Sequence, residues 1–291
     1  MTVRVLRIGA KPPTSDLDGV TNPQLLAHRL LNLDKRVEDK GYSRRLRLSG
    51  IAGVCVRERL LGLRHGISFK QTTDIGLTVT FDFGTAAHGY FQNAPEYFGK
   101  SLIGWWRCEA CRHKVFGRRQ MVNCSKCGAL PAASRYAEHM LRLPEDVPAV
   151  GHPDAFLEIA QGDIRIAELK SIAWTDFSKL SAPQAEHAMQ VTGYMHYSGM
   201  DETLPIRVNQ ERGLIIYISK SCGPGSTPFK AFHVEKNPIF LSHIHEKVDL
   251  FKRGLEDESF LPAPLSRCLA VEFQRSPATS CPVVNLCRDA G

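Results

Sequence analysis

Cys108, Cys111, Cys124 and Cys127 have two, twelve and two residues between them. Each Cys-x2-Cys offers two thiolates from one tight turn, and two such turns close a tetrahedral site of the kind that holds structural Zn²⁺. The spacing marks residues 104–130 as a Cys-rich insertion, and the intervening RHKVFGRRQMVN suits a short hairpin. A redox pair or an iron site is the alternative use of the same thiols. The module also carries Arg107, Arg112, Lys114, Arg118 and Arg119 beside Trp105 and Trp106. Basic residues among aromatics suit a nucleic-acid strand, through phosphate contacts and base stacking. Equally, aromatics in a module too small for a core simply pack.

The chain has 291 residues, nine of them cysteine. Disulfides are rare in the cytosol, so clustered cysteines there point to metal. The opening MTVRVLRIGAKPPTSD has no continuous apolar stretch of the signal-peptide kind, and no run reaches membrane-spanning length. A cytoplasmic protein with no membrane partner is expected. Cys55, Cys268, Cys281 and Cys287 can form a second, distributed tetrad, which leaves Cys222 as a lone thiol. A net charge of +7 is compatible with a polyanionic partner without requiring one, and 43% apolar residues allow a sizeable core.

Leu25, Leu26, Leu30 and Leu31 predict a helix over 23–40. Ser49 reads as the N-cap of a helix through about Leu63, stopped by Gly66. GLTVTFDF (76–83) alternates and predicts a strand, followed by a helix from about Gly84 and Thr85. Residues 147–173 read as a hairpin turning at Gln161-Gly162-Asp163. Helices are predicted over 183–198 and 237–254, strands over 213–220 and 229–235, a loop over 221–228 and an irregular tail over 261–291. Interleaved strands and helices give an α/β or α+β core.

The hairpin carries the chemistry. Side chains alternate along a strand, so Glu168 and Lys170 share a face while Leu169 points away, and the hairpin can bring Asp154 alongside. Two carboxylates bind a hard divalent cation through oxygen, and a neighbouring lysine can orient water or stabilise a phosphate's developing charge. A Glu-x-Lys pair is commonly only a solvated face. Here Ile164, Ile166, Ala167, Leu169 and Ile172 surround it, and charges in so apolar a strand need a reason. His187, Gln190 and Tyr194 lie along one polar helical stripe, and Ala188, Val191 and Met195 offer another, apolar face.

The ordered set Gly84-x3-His88, Gly151-x2-Asp154, Glu168-Leu169-Lys170 and Gln190-x3-Tyr194 resembles the RecB-type branch of the PD-(D/E)XK nucleases, which includes CRISPR-adaptation and phage-encoded recombination exonucleases. The match runs from about Arg47 to Cys287. It implies a restriction-endonuclease-like mixed central sheet flanked by helices. His88, Asp154 and Glu168 would bind Mg²⁺ or Mn²⁺, with the Leu169 carbonyl as a further ligand. Lys170 would be catalytic, with Gln190 and Tyr194 facing the site and the DNA. The second tetrad resembles the set that holds a [4Fe–4S] cluster in iron–sulfur members of that branch. One spacing departs, since twelve residues separate Cys268 from Cys281 where the family commonly has two; buried or free thiols, or Zn²⁺ at the same ligands, are the alternatives.

The expected organisation is an N-terminal arm and helix (1–46), a nuclease core (47–260) with the zinc ribbon (104–130) inserted, and a cluster-binding tail (261–291). The expected activity is DNA hydrolysis, as an exonuclease in recombination or repair with a recombinase or helicase as the implied partner. The rivals are a non-catalytic zinc-ribbon nucleic-acid-binding protein on a decayed nuclease core, and a redox or regulatory cluster protein.

Overall fold

A computed structural model describes residues 36–73, 75–118, 123–130, 134–221, 227–265, 268 and 281–289. The chain divides into two compact units, one of residues 1–40 and 68–83, the other of residues 41–67 and 84–291. In the smaller, Arg36–Gly41 pairs with Ser68–Thr73. The helix predicted over 23–40 is therefore corrected at its end: residues 36–40 are strand, and 23–35 lie outside the described residues. Pairing with Ser68–Thr73 satisfies this backbone between strands in place of a helix.

Two further predictions are corrected. Leu48–Gly53 forms a 3-10 turn, and helix α1 (Val56–Arg64) begins only after Cys55, which occupies its N-cap in place of Ser49. Gly50 and Gly53 weaken a continuous helix, and Leu48 and Ile51 are buried as anchors of the turn. Residues 76–83 are not a strand but the opening of helix α2 (Ile75–Asn93). β-propensity describes a fit to a pleated surface between neighbours. A helix satisfies its own backbone instead, and the alternating residues spread around it, leaving Val79, Phe81 and Phe83 exposed.

The larger unit is built on a seven-stranded mixed sheet flanked by helices. Its strands are β1 (Leu102–Cys108), β2 (Lys114–Arg118), β3 (Ser134–Ala137), β4 (Ala155–Ala160), β5 (Asp163–Ile172), β6 (Arg212–Ser219) and β7 (Phe229–Glu235). Their order is β7-β6-β5-β4-β1-β2, with β3 also on β1. Only β5 and β6 run parallel, and helices α3 (Trp174–Lys179) and α4 (Ala185–Ser198) make the crossover between them. Helix α5 (Pro238–Glu256) follows β7; Asn237 caps it, its Oδ1 accepting from the Ile239 and Phe240 amides, with Pro238 preset at the first turn. A short helix α6 (Val284–Asp289) lies in the tail.

Strand alternation gives the sheet two buried faces. Phe156, Ile166, Ile215 and Tyr217 meet Leu48, Leu60, Val191, Tyr194, Met195 and Phe251 from the 3-10 turn, α1, α4 and α5. On the other face Ala155, Leu157, Ala167, Leu169, Leu214, Ile216 and Trp106 make a smaller core, with Phe91 and Phe98 packed against it. Each large apolar side chain so buried contributes about 1.5–3 kcal/mol.

One feature of β1 positions the site. Leu102 and Ile103 pair with Leu157 and Phe156 of β4. Farther along the same edge, Trp105 to Cys108 pair with Ala137 to Ser134 of β3. The edge passes from one partner to the other at Gly104, so the end of β3 and the start of β4 meet there. No helix among the described residues is long and apolar enough to cross a membrane.

Candidate metal centre and active site

Glu138 follows β3 and Asp154 precedes β4, so the change of partner at Gly104 sets two carboxylates side by side. His88 reaches them from α2. One ligand atom from each of His88, Glu138 and Asp154 lies within 4.8 Å of the others. His88 Nδ1 stands 3.4 Å from Asp154 Oδ1, and Asp154 Oδ2 accepts from the Leu169 amide at 2.7 Å. Gln92, one helical turn beyond His88, donates to Glu138 Oε1 at 3.1 Å and to the Asp154 carbonyl at 2.8 Å. Burial disfavours a charged His88, but the Asp154 carboxylate outweighs it, with Glu168 and Glu138 adding, and the imidazole pKa is raised. Partial burial likewise raises the Glu138 carboxyl, Gln92 opposing and Asp154 reinforcing.

Glu168 lies on the same face of β5 as Ile166, under α4, and is 3% exposed. Its Oε1 accepts from Lys170 Nζ at 2.8 Å and from Gln190 Nε2 at 2.6 Å. Gln190 Nε2 also reaches the Tyr194 hydroxyl at 3.0 Å. Glu168 Oε2 is buried with no hydrogen-bond partner. Burial, with Asp154 adding and Lys170 opposing, pushes this carboxyl up to about 8. An orphaned buried carboxylate oxygen costs free energy unless a cation or proton meets it.

The motif glycines have steric reasons. A Cβ on Gly151 would stand 2.7 Å from the Tyr194 ring, and one on Gly84 would stand 3.1 Å from Ser171 Oγ. Both let a helix approach the sheet closely. His187 turns from the polar stripe to bond the Tyr217 hydroxyl at 2.9 Å. His245 meets His196 at 3.1 Å between α5 and α4, while His243 is exposed.

His88, Asp154, Glu168, Leu169, Lys170, Gln190 and Tyr194 thus converge on one end of the sheet. Glu138 is the member that sequence reasoning misses. It sits in no spaced motif, and only the register of β3 and β4 along β1 brings it to Asp154.

The first cysteine tetrad converges as its spacing predicts. Its sulfurs all lie within 4.8 Å of one another, with Cys108–Cys127 at 3.8 Å and Cys111–Cys124 at 3.5 Å. Thiolates around one zinc at about 2.3 Å stand roughly 3.8 Å apart, so the set fits that ion. The two knuckles repeat one backbone pattern. The amides of Cys108 and Cys124 donate to the carbonyls of His113 and Ala129, and those of Arg112 and Gly128 donate back to Cys108 and Cys124. Arg112 (φ 63°) and Gly128 (φ 70°) hold the matching left-handed positions. The Cys127 and Lys126 amides hold the Cys124 thiol down to about 6. Of the basic residues, Arg118 pairs with Glu158, and Arg119 lies outside the described residues. Trp106 is buried in the core and donates to the Gly117 carbonyl.

The second tetrad gathers where the tail meets α1. Burial raises the Cys55 thiol, with charge on Cys268 and Cys287 adding. Burial raises Cys281 too, with Cys55 and Cys287 contributing. Buried Arg57 ties the tail down, donating to Cys287 Sγ at 3.2 Å, the Pro262 carbonyl at 2.8 Å and the Cys287 carbonyl at 3.1 Å. Cys222 lies outside the described residues.

No protein-family model matches this chain, and no curated protein does. Among solved structures the chain is similar to an alkaline exonuclease from Laribacter hongkongensis, at 12% identity and a TM-score of 0.42, over 79% of this chain and 93% of that one. A structure of that enzyme in complex with dAMP gives 12% identity and a TM-score of 0.44, over 74% and 89%. A phage-related exonuclease from Haemophilus somnus gives 11% identity and a TM-score of 0.39, over 75% and 98%.

Proposed function

We propose that this chain is a divalent-metal-dependent deoxyribonuclease, acting as an exonuclease in recombination or repair. The observation that carries the reading is the orphaned Glu168 Oε2 beside the His88–Glu138–Asp154 group, with an ion-paired lysine two residues along the same strand face. His88, Asp154, Glu168 and the Leu169 carbonyl would hold Mg²⁺ or Mn²⁺, joined by Glu138. When bound, such a cation supplies charge neutralisation and an acidified water. Lys170, held by Glu168, stabilises negative charge growing on the phosphate oxygens. Gln190 and Tyr194 fix Glu168 in one orientation from α4. The net charge of +7 favours a polyanionic substrate.

Zn²⁺ is assigned to the first tetrad, where it would hold together the two Cys-x2-Cys turns at the far end of β1. A [4Fe–4S] cluster belongs to Cys55, Cys268, Cys281 and Cys287. What supports that reading is the resemblance of the Cys spacing and the mutual charge effects among these four thiols.

The test is digestion of end-labelled linear DNA and closed circular DNA with Mg²⁺ or Mn²⁺. Linear DNA should be degraded and the circle spared, and Glu168→Gln should lose cleavage by about a hundredfold or more while remaining folded. Wild-type rates in Glu168→Gln protein would overturn the assignment. A folded wild type that retards DNA but never cuts it would support the non-catalytic zinc-ribbon reading instead.

A further inference from the structure

A cavity of about 460 Å³ opens beside the catalytic group, lined in part by Trp105, Lys114, Glu138, Met140, Arg142 and Thr203. Its size lies within the roughly 300–1,000 Å³ of small-molecule sites. Glu138 belongs both to this wall and to the group with His88 and Asp154, so the cavity and the proposed cation site share a side chain.

The walls are built rather than incidental. Trp105 Nε1 donates to His139 Nδ1 at 3.2 Å. That contact leaves His139 Nε2 as the donor to Asp201 Oδ2, at 2.7 Å. Asp201 also accepts from the Arg142 amide at 2.9 Å, and from the Thr203 amide and hydroxyl at 2.9 and 2.7 Å. His139 and Asp201 are both buried. One hydrogen-bonded chain therefore fixes the indole and the backbone carrying Arg142 and Thr203. Lys114 faces Arg107 across β1 and β2 and sits diagonal to Trp105, on the same face. The second zinc-type ligand, Cys111, lies three residues before Lys114.

We propose that this cavity is a subsite for one unpaired nucleotide of the strand being cut. Its base rests against Trp105 and Met140, and its phosphate meets Lys114 and Arg142. The role rests on the nuclease reading; the binding chemistry stands on the cavity's own residues. An aromatic face accepts any base, whereas flanking cations select the phosphate, so the site recognises a nucleotide without reading its sequence. Glu138 places the subsite next to the reacting phosphodiester, not at a remote patch.

The test uses the full chain carrying Glu168→Gln, so that bound DNA persists. A 5′-phosphorylated thymidylate tetramer with one 4-thiothymidine is bound, irradiated and mapped by mass spectrometry. Cross-links should fall on Trp105 or Met140. Met140→Trp, which fills the cavity and spares the Trp105–His139 contact, should weaken tetramer binding tenfold or more. Lys114→Ser with Arg142→Ser should weaken it and lower the salt slope by about 0.7, the contribution of one phosphate on a single strand. Competition by free thymidine 5′-monophosphate at millimolar concentration would show that a released nucleotide occupies the same site; competition by the tetramer alone assigns it to the intact strand.

Cross-links elsewhere, with Met140→Trp binding within twofold of its parent, would overturn the subsite. The nuclease reading fails separately: wild-type protein that cross-links at Trp105 but never cleaves would retain the subsite and lose the enzyme.

Discussion

Gly151→Ala tests the link between the Gly-x2-Asp motif and the helix above it. The added Cβ would stand 2.7 Å from Tyr194 Cε1 and 3.0 Å from both Tyr194 Cδ1 and Leu48 Cδ1. Carbon atoms in ordinary contact lie about 3.5–4.0 Å apart, so the methyl intrudes by about 0.5–1 Å. Neither neighbour has room to yield, since Tyr194 and Leu48 are 1% and 0% exposed. Overpacking of this kind costs about 1–3 kcal/mol. For a chain of this size that lowers Tm by roughly 2–5 °C. The ring that must move also carries the hydroxyl that meets Gln190 and the His152 amide, so cleavage should fall further than the lost stability alone explains. Urea unfolding of wild type, Gly151→Ala, Tyr194→Leu and the double variant forms a cycle, in which shrinking Tyr194 should relieve the clash by about 1–2 kcal/mol. A Gly151→Ala protein within about 0.5 kcal/mol of wild type, with no coupling to Tyr194 and unchanged cleavage, would refute the reasoning.

Arg57→Ala should cost about 2 kcal/mol or more, because the Pro262 and Cys287 carbonyls lose a buried donor; limited proteolysis should then cut the tail first. Burial, with Lys170 nearby, lowers the His187 pKa to about 4 from 6.5. The unfolded chain therefore takes up a proton near pH 6.5 that the folded one refuses until about pH 4, and stability should decline as pH falls through that window. His187→Gln should flatten that part of the curve in urea titrations from pH 4 to 7, and an unchanged slope would remove His187 as its cause. Cys124→Ser should lose zinc and keep iron in anaerobic elemental analysis, and Cys281→Ser should do the reverse. Two zinc ions and no iron in the wild type would refute the cluster.

What could be read ahead of the structure was whatever repeats at short range. The β4–β5 hairpin follows from alternation around Ile164, Ile166 and Glu168 and from the turn at Gly162, and both zinc knuckles follow from Cys-x2-Cys alone. Residues 76–83 were misread because alternation has two meanings. Leu77, Val79, Phe81 and Phe83 look like one face of a strand, yet a segment that continues into a helix closes its backbone locally and tolerates exposing some of them. Ser49 misled for a related reason: a good capping residue does not start a helix when Gly50 and Gly53 follow and Leu48 and Ile51 are claimed by the core. Glu138 was invisible because its partnership with Asp154 depends on two strands sharing one edge of a third, which no local pattern encodes.

That shared edge would make the two proposed metal sites mechanically dependent. β1 runs from the end of the sheet near the His88–Glu138–Asp154 group to Cys108 itself, and β3 is zipped to its far half, Ser134 opposite Cys108 and Ala137 opposite Trp105. Thiolate ligation at one end of this ladder therefore sets how firmly Glu138 is presented at the other. A strong chelator would reach both ends at once, loosening the ladder as well as emptying the hard-ligand site. Inhibition by such a chelator should accordingly recover in two stages: Mg²⁺ alone restores a partial rate, and Zn²⁺ added in stoichiometric amount restores the remainder.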